Sequence, residues 1–354
     1  MDESEILTRK KQNKKYYVLL IGLSLTLFIL FFVSLFIGRY SDIDLLTSGK
    51  IFMNDLFGIF EQTWTDLQAS VVLKLRLPRI LASILVGASL ALSGASFQAL
   101  FGNPMASPDT LGVSSGSSLG ACLGILLGWG SIMIETTAFI VGCVTVLIGY
   151  IIAMTISKGK NTTVFLILTG MVISSFLSSF ISIIKYVADP EDQLPAITYW
   201  LMGSFASVDM TDVKLHFAFL LIGATPLLLM RWRVNMLSLN YFEAKSMGVN
   251  VNLLRTITII CATLLTASSV AISGGIAWVG LVIPHMMRFI VGNDCRKLFP
   301  ASALAGSIYL ILMDDIARTL SASEIPIGVL TSLIGAPIFF VILMSNRRSM
   351  INES

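Results

Sequence analysis

The amino-acid sequence predicts an all-α polytopic membrane protein with about ten transmembrane helices. Of its 354 residues, 55% are hydrophobic and only 13% are charged, and the mean hydropathy is +0.84. A water-soluble domain carries about 25% charged residues, so these few charges cannot cover a surface that faces water. About 20 apolar residues make one membrane-spanning helix, and ten such helices leave room only for short loops. The composition excludes most soluble enzymes, and the net charge of +3 is too small to indicate a nucleic-acid-binding protein.

Charge-free segments locate the spans. The first, Tyr16–Gly38, follows a basic leader at residues 1–15 and is too long for the apolar core of a signal peptide. We therefore predict one transmembrane domain at residues 16–346 and a short tail at residues 347–354. The other charge-free segments are Ile80–Pro108, Thr110–Ile134, Thr136–Ser157, Asn161–Ile184, Leu215–Met230, Thr256–Met287, Leu298–Met313 and Ile325–Asn346. Thr256–Met287 is long enough for two spans joined by a tight turn at Gly274-Gly275, which brings the number to ten.

The distribution of Lys and Arg predicts the orientation. If the N-terminus is cytoplasmic, two thirds of the 24 Lys and Arg residues fall on the cytoplasmic side. This bias agrees with the positive-inside rule, so we predict that both termini are cytoplasmic. Arg76, Arg79 and Arg318 then lie on the outer side.

Two patterns concern helix packing. Gly116, Gly120, Gly124 and Gly128 recur at every fourth position of the third span, and such a row of small residues lets helices approach closely in lipid. The segment at residues 91–95 resembles the segment at residues 271–275, five spans later. An odd offset means that two copies would run in opposite directions, as in the inverted repeats of many transporters.

Several kinds of chemistry have no motif in this chain. There is no P-loop, no His-Glu-x-x-His pair and no nucleophile elbow, so we predict a protein that is not an enzyme and does not itself hydrolyse ATP. The four cysteines show no Cys-x-x-Cys spacing, which indicates free thiols and no metal site. Ionisable side chains are nearly absent from the predicted spans, whereas proton-coupled carriers place such side chains within the membrane. Asp314 and Asp315, near the outer end of the ninth span, are the nearest candidates, so a pump of this sequence would need energy from a partner.

Arg76-Leu77-Pro78-Arg79 opens the second span at the outer face. Two interpretations are open. The cations anchor the helix in the membrane interface by snorkelling, or they form a docking site for an acidic partner, because charges at a rim steer an encounter.

The segment Asn103–Asp109 ends the second span at the cytoplasmic side. Pro104 and Pro108 cannot both continue a helix, so the segment must form a fixed non-helical turn. Two interpretations of this turn are open: it is a simple connector, or it is a functional loop.

The longest cytoplasmic loop, Arg231–Arg255, contains a predicted short helix. Asn240 and Glu243 have the spacing of an N-terminal cap, and Gly248 is a typical stop. Leu239, Phe242 and Ser246 would share one face of this helix. The helix either covers the loop or binds a cytoplasmic partner.

The remaining motifs lie further along the chain, at Gly275–Arg288, Asp314–Arg318, Glu324–Val329 and Gly335–Pro337. Together with the motifs above, they make the sequence resemble the FecCD-type permeases of bacterial ABC importers for iron siderophores, haem and vitamin B12. The matching motifs run in order from Arg76 to Pro337. The leader and residues 39–75 carry no family signal.

This resemblance implies an inverted-repeat type II ABC importer permease fold in the bacterial cell (inner) membrane. It implies a second permease, identical or paralogous, that forms a dimer with the pore at the subunit interface. It also implies two cytoplasmic ABC ATPases, which use ATP and Mg²⁺, and an extracytoplasmic substrate-binding protein. The chain itself would bind no cofactor, no metal and no nucleic acid.

The resemblance also implies roles for individual residues. Arg76, Arg79 and Arg318 match outward-facing arginines that pair with acidic residues of the binding protein. Asn103 and Met105 match one cytoplasmic gate loop, and Thr162 and Thr163 match a second. The short helix matches the coupling helix that contacts the ATPase, with the residues Leu239, Asn240, Phe242, Glu243, Ala244 and Gly248. His285 and Arg288 belong to the family signature, and we interpret them as structural residues that close a helix.

We therefore expect a permease subunit that moves a ferric siderophore from a binding protein into the cytoplasm. Import of haem or vitamin B12 by the same kind of permease is the alternative, and a secondary carrier that needs no ATPase is a third hypothesis. A bare metal ion would need His, Asp or Glu side chains along its path, and their scarcity argues against that substrate.

Overall fold

The computed structural model describes residues 3–38, 43–157, 162–238, 241–321 and 323–352. Every regular element in these ranges is helical, as the sequence predicts. The α-helices are α1 Glu3–Phe36, α2 Leu45–Phe57, α3 Asp66–Ser70, α4 Leu77–Phe101, α5 Val113–Leu126, α6 Ser131–Ser157, α7 Thr162–Val187, α8 Gln193–Met202, α9 Met210–Val234, α10 Tyr241–Ser246, α11 Val251–Ser273, α12 Val279–Val291, α13 Cys295–Thr319 and α14 Ile327–Asn352.

Ten of the described helices correspond in order to the ten predicted spans. Seven are long and apolar enough to cross a membrane: α1, α4, α6, α7, α9, α11 and α13. The other three, α5, α12 and the first part of α14, are apolar but shorter. The sequence overestimated the third span, Thr110–Ile134, because a turn at residues 127–130 interrupts its charge-free segment. Charge-free sequence marks what can lie in lipid, but it does not show where a helix ends.

Helix α4 lies at the centre of the bundle and is buried along most of its length. Small residues permit this position. A β-carbon at Gly94 would lie 2.7 Å from the Cα of Gly280 in α12, and one at Gly87 would lie 2.7 Å from the carbonyl carbon of Gly306 in α13. Because these distances are shorter than any real contact of a β-carbon, only glycine lets α12 and α13 approach α4 so closely.

The predicted glycine row packs α5 against α6. Gly116, Gly120 and Gly124 face Thr145, Thr137 and Ile134 of α6, and a β-carbon at Gly120 would lie 2.5 Å from the carbonyl oxygen of Thr137. The fourth member of the row, Gly128, lies beyond the end of α5 with φ +67° and meets nothing within 4 Å. It belongs to the turn and not to the packing face.

The break between α11 and α12 separates the two spans predicted within Thr256–Met287. It is longer than the predicted tight turn, because residues 274–277 are not helical and α12 begins only at Val279. Gly274 ends α11 with φ +67°, and Trp278 has φ +72°, a conformation that side chains other than glycine rarely adopt. Gly94, the counterpart of Gly274 in the repeated segment, lies inside α4 instead of at a helix end.

Three short helices were not predicted, namely α2, α3 and α8. Helix α2 begins at Asp44, whose side chain accepts the N–H of Thr47 at 2.8 Å, and ends at Gly58 with φ +63°. Its Ile51 is buried in a cluster with Leu35 of α1. These helices lie in segments that are too polar or too short for a hydropathy argument to detect.

Candidate functional site

Arg76 and Arg318 close the end of α1. A helix leaves its last four carbonyl groups without partners inside the helix. Nη1 of Arg76 donates to the carbonyl oxygens of Leu35 and Phe36, each at 2.8 Å. Nη1 of Arg318 donates to the carbonyl oxygen of Ile37 at 2.9 Å. Two cations thus cap a helix C-terminus, where the helix dipole favours positive charge.

Three carboxylates neutralise the arginines at this end of the bundle. Nε of Arg79 donates to Oδ1 of Asp314 at 2.7 Å, and Nη1 of Arg79 donates to Oε2 of Glu324 at 2.7 Å. Nε of Arg318 lies 3.1 Å from Oδ2 of Asp314, and Nη2 of Arg318 pairs with Asp315. The Asp314 side chain is only 1% exposed. Because buried charges need partners, α4 and α13 cannot separate here without leaving an unpaired charge.

A serine of α1 completes this network. Oγ of Ser34 donates to Oδ1 of Asp315 at 2.6 Å and accepts a hydrogen bond from Nη2 of Arg318 at 2.7 Å. Arg76 enters the network from a π-helical turn, Val71–Arg76, a rare geometry that is frequent at functional sites. We call Ser34, Arg76, Arg79, Asp314, Asp315, Arg318 and Glu324 the arginine network. It ties α1, α4 and α13 together at the predicted outer end.

Arg76, Arg79 and Arg318 are buried and have their partners within this chain. Their exposed fractions are 5%, 6% and 5%, and they point at helix carbonyls and carboxylates of this chain. The sequence could not show these partners, because Ser34 and Asp315 are 281 positions apart. The three arginines do line one open cavity of about 430 Å³, which Glu324 also lines. Their role in docking a binding protein stays a prediction.

Asn103 and Met105 lie in a fixed turn at the predicted cytoplasmic end. Helix α4 ends at Gly102, which has φ +59°. Oδ1 of Asn103 accepts the N–H of Met105 at 2.9 Å, and the carbonyl oxygen of Asn103 accepts the N–H of Ala106 at 3.1 Å. The predicted non-helical turn is confirmed, and the side chain of Met105 is exposed at its tip. Its function as a gate stays a prediction.

Thr162 and Thr163 begin α7 at the same end of the bundle. Thr162 is buried, and its Oγ1 lies 3.4 Å from Oγ of Ser157 in α6. Residues 158–161, the rest of this predicted gate loop, lie outside the described residues. Leu166 of α7 and Ala106 share one apolar cluster. Residues close to both predicted gate segments thus belong to one apolar cluster.

The short helix predicted between Arg231 and Arg255 is present as α10. It ends as predicted at Gly248, which has φ +77°. The N–H of Val249 donates to the carbonyl oxygen of Ala244 at 3.3 Å, as in a Schellman motif. Glycine is required at this position because the chain turns in the left-handed region.

The predicted coupling residues of α10 do not all face outward. Glu243 is exposed, but Ala244 is 1% exposed and packs with Met236 and Val251. Ala244 thus holds the helix on the bundle, and its assignment as a contact residue for an ATPase stays a prediction. Leu239 and Asn240 lie outside the described residues, as does the side chain of Phe242.

Arg288 and His285 make structural contacts, as we interpreted them. Nε of Arg288 donates to Oε1 of Gln98 at 3.1 Å, and Nε2 of Gln98 donates to the carbonyl oxygen of Leu281 at 3.1 Å. The ring of His285 packs against Phe289 and Phe339, with centroids 5.2 Å and 5.7 Å away. These contacts fasten α12 to α4 and α14.

Glu324 and Ser34 are the site residues that sequence reasoning did not single out. Glu324 carried a signal, because it begins the quoted motif Glu324–Val329. Ser34 carried none, since a serine in a charge-free segment is ordinary. Among the described residues, no three His, Cys, Asp or Glu side chains form a group that could hold a metal ion. The four cysteines are free thiols, as predicted.

In the described residues, a bundle of ten apolar helices has the turn after α4, the start of α7 and a short peripheral helix at one end, an arrangement typical of the membrane subunit of a transport system. The model of the FecCD transport family matches residues 14–345, and the chain belongs to this family.

Related proteins agree with this assignment. The molybdate import system permease protein of Haemophilus influenzae is 39% identical over 342 residues, which are 97% of this chain and 100% of that protein. An iron chelatin transport system permease protein of Helicobacter pylori is 36% identical over 278 residues, which are 78% of this chain and 83% of that protein.

A solved structure shows the same fold. An ABC transporter assigned to the metal-chelate type, in an inward-facing conformation, superimposes with a TM-score of 0.81 and 40% identity, covering 92% of this chain and 98% of that chain. The protein is therefore an integral membrane protein and the permease component of an ABC importer.

Proposed function

We propose that this permease imports a ferric chelate of the siderophore type. The observation that carries the proposal is the exposed face of α7. It presents apolar side chains such as Val172 and Phe176 together with serine hydroxyls, and Lys185 is the only charged residue of the helix. A bare metal ion would need carboxylate, imidazole or thiolate ligands, which this face does not offer. A ferric chelate brings its own ligands and needs only a surface that binds weakly.

A second permease would cover this face and enclose the path. Helix α7 and the first part of α14 expose large apolar side chains, among them Phe180 on α7 and Leu333 and Phe340 on α14. An apolar surface of this kind is typical of a protein interface when it is not in lipid. In the proposed dimer, the path lies between the two copies of α7. The hydroxyl and apolar side chains of this helix would then line the path.

Molybdate is the second candidate substrate, because the molybdate permease relative matches along almost the whole chain. An oxyanion requires hydrogen-bond donors. The hydroxyls of Ser175, Ser179 and Ser182 already donate to carbonyl oxygens of their own helix, at 3.0 Å, 3.1 Å and 3.0 Å. Since a serine hydroxyl has a single proton, each of these groups must release its helix carbonyl before it can donate to an oxyanion. The exposed face of α7 therefore favours a chelate over an oxyanion.

Uptake measurements test the substrate. A strain that lacks this chain would be compared with the same strain carrying the chain on a plasmid, with labelled ferric siderophores, haem, cobalamin and molybdate supplied separately. We expect the plasmid to restore uptake of a ferric siderophore, with no effect on molybdate. Restored uptake of molybdate alone would establish the second candidate, and restored haem or cobalamin uptake would assign the alternative cargo.

The path from ATP hydrolysis to the gate begins, in this proposal, at α10. Partner ATPases close on ATP and move α10, which rests on Met236 and Val251 through Ala244. Leu237 packs against this cluster and also against the cluster that holds Ala106 and Leu166 at the gate segments. A displacement of α10 would thus reach both gate segments through one side chain.

Docking of the loaded binding protein is proposed for the cavity beside the arginine network. Because Arg79 and Arg318 already pair with Asp314, Asp315 and Glu324, a carboxylate that binds either arginine must exchange with one of these acids. Glu324 is the most exposed of them, with 29% of its side chain accessible, against 1% for Asp314 and 9% for Asp315. Arg79 would therefore be the arginine that changes partner.

Two glycine variants test the coupling role of α10. Gly248 ends α10 and Gly58 ends α2 at the opposite end of the bundle. Both have positive φ, at +77° and +63°, and a β-carbon would meet nothing within 4 Å at either position. Each Gly→Ala change therefore costs about 1 kcal/mol of backbone strain without a steric clash.

We expect Gly248→Ala to reduce co-purification of the ATPase and substrate uptake, because it frays the end of α10. Gly58→Ala applies the same backbone strain away from α10 and should leave both quantities at the wild-type value. Equal losses in the two variants, or none in Gly248→Ala, would refute the assignment of α10.

A further inference from the structure

A large cavity opens between α1, α9 and α13 at the predicted cytoplasmic end. Its volume is about 860 Å³. Tyr16 and Tyr17 of α1 line it, with Arg231 of α9 and with Arg296 and Lys297 of α13. The proposed transport mechanism uses none of these residues.

The cavity carries an excess of positive charge. Arg296 is neutralised by Asp294, with Nη2 and Oδ2 2.7 Å apart. Asp294 is also the one acidic residue that lines the cavity in the described part of the chain. Arg231 donates only to a neutral group, the carbonyl oxygen of Arg296, at 3.2 Å. Nζ of Lys297 lies 5.7 Å from the centroid of the Tyr16 ring, within range of a cation–π contact. Two positive charges therefore remain without a carboxylate.

The surroundings of the cavity are those of a membrane interface. Tyr17 and Trp232 are exposed beside it, and aromatic residues of this kind are enriched at the level of lipid headgroups. On the bilayer side, α1 exposes Ile21 and α9 exposes Leu229, which is 80% accessible. On the other side, Lys14 and Lys15 of α1 are exposed. The cavity thus lies between an apolar surface and a basic one.

We propose that this cavity binds the headgroup of an anionic phospholipid. Arg231 and Lys297 contact the phosphate, since guanidinium and ammonium groups donate charge-assisted hydrogen bonds to phosphate oxygens. The acyl chains run along the exposed apolar side chains of α1 and α9. Basic pockets between transmembrane helices on the cytoplasmic side recognise anionic headgroups in this way. The bound lipid would fill the gap between α1 and the rest of the bundle.

Native mass spectrometry of the full chain in detergent tests the proposal. The probes are phosphatidylglycerol, which is anionic, and phosphatidylcholine with the same acyl chains, which is zwitterionic. We expect the wild-type chain to retain phosphatidylglycerol preferentially. The variant Arg231→Gln/Lys297→Gln should lose about twentyfold in affinity for phosphatidylglycerol, because each cation near an anionic headgroup contributes about fivefold. Its affinity for phosphatidylcholine should not change.

The matched control removes two cations at the opposite end of the bundle. Lys185→Gln/Lys214→Gln has the same change of net charge and should keep the wild-type preference. The single variant Lys297→Gln, which removes no described hydrogen bond, should lose about fivefold and covers the case in which the double variant does not fold.

Three results with the two lipids would overturn the proposal, and a fourth comes from competition with soluble anions. The three are equal retention of the two lipids by the wild-type chain, an unchanged preference in Arg231→Gln/Lys297→Gln, and an equal loss in the control. Full competition by inorganic phosphate or ATP at millimolar concentration would also overturn it, because the site would then be a site for soluble anions.

Discussion

The two ends of the bundle each contain a group of cations, and the two groups behave in opposite ways. At the predicted outer end, Arg76, Arg79 and Arg318 are buried and face helix carbonyls and carboxylates. At the predicted cytoplasmic end, Arg231 and Lys297 border an open cavity and form no ion pair with a carboxylate of the described residues. The residue types are similar, but their surroundings differ.

This comparison shows that partners and burial, not residue type, decide what a cation contributes. A buried charge in a network holds helices together, because removing one member leaves another unpaired. An exposed cation contributes little to stability and is available to a ligand. The sequence motif around Arg76 and Arg79 suggested a surface for a partner, whereas the structure shows that these side chains first of all hold α1, α4 and α13 in place.

Among the changes that test this contrast, we expect Asp314→Asn to cause the largest loss of stability. The change removes the negative charge that Arg79 and Arg318 share at the centre of the arginine network. We expect a loss of about 3 kcal/mol of stability, at the lower end of the range for a broken buried pair because Glu324 and Asp315 remain. Thermal unfolding of the detergent-solubilised chain measures this loss.

Glu191→Gln is the matched control, because it also removes one negative charge. Unlike Asp314, Glu191 lies at an exposed position, between α7 and α8. It should change stability by less than about 0.5 kcal/mol. If Asp314→Asn were as stable as this control, the arginine network would not hold the helices, and the contrast between the two ends would fail.

A smaller effect is expected at the cytoplasmic end from Asp294→Asn. Burial alone would raise the pKa of Asp294, but hydrogen bonds from Arg296 and Asn235 outweigh burial and bring the pKa to about 2. A carboxylate with a lowered pKa stabilises the fold above its unfolded pKa of about 4, and this contribution is lost as the pH falls towards 2. We expect the variant to lose about 0.5–1 kcal/mol at pH 7, since its partner Arg296 is half exposed.

The pH dependence separates this role from a general loss of charge. The difference between wild type and Asp294→Asn should be constant from pH 7 to pH 5 and should shrink between about pH 4 and pH 2. Asp192→Asn makes the same change at the start of α8, where the side chain forms no capping hydrogen bond. A similar loss in both variants would show that the hydrogen bonds of Asp294 do not stabilise α13.

The apolar helices and several helix ends could be predicted because they depend on neighbouring residues. Lipid requires an uninterrupted apolar segment of sufficient length, and this requirement is visible in Tyr16–Gly38 or Leu215–Met230. The end of α10 at Gly248 and the turn after Gly102 follow from the conformational freedom of glycine and from nearby prolines. The family motifs added the expected positions of the gate and coupling segments.

Contacts between distant parts of the chain could not be predicted. That Arg76 caps α1, that Ser34 meets Asp315 and that Ala244 faces inward depend on how the helices pack, because each partner lies on a different element. The same holds for the cavity that joins Tyr16, Arg231 and Lys297. The sequence by itself determined the all-helical membrane fold and the family, since these depend on local hydrophobicity and local motifs. Only the tertiary structure decided which charges are paired and which remain available, because a charge is satisfied by whichever group the fold brings within hydrogen-bonding distance.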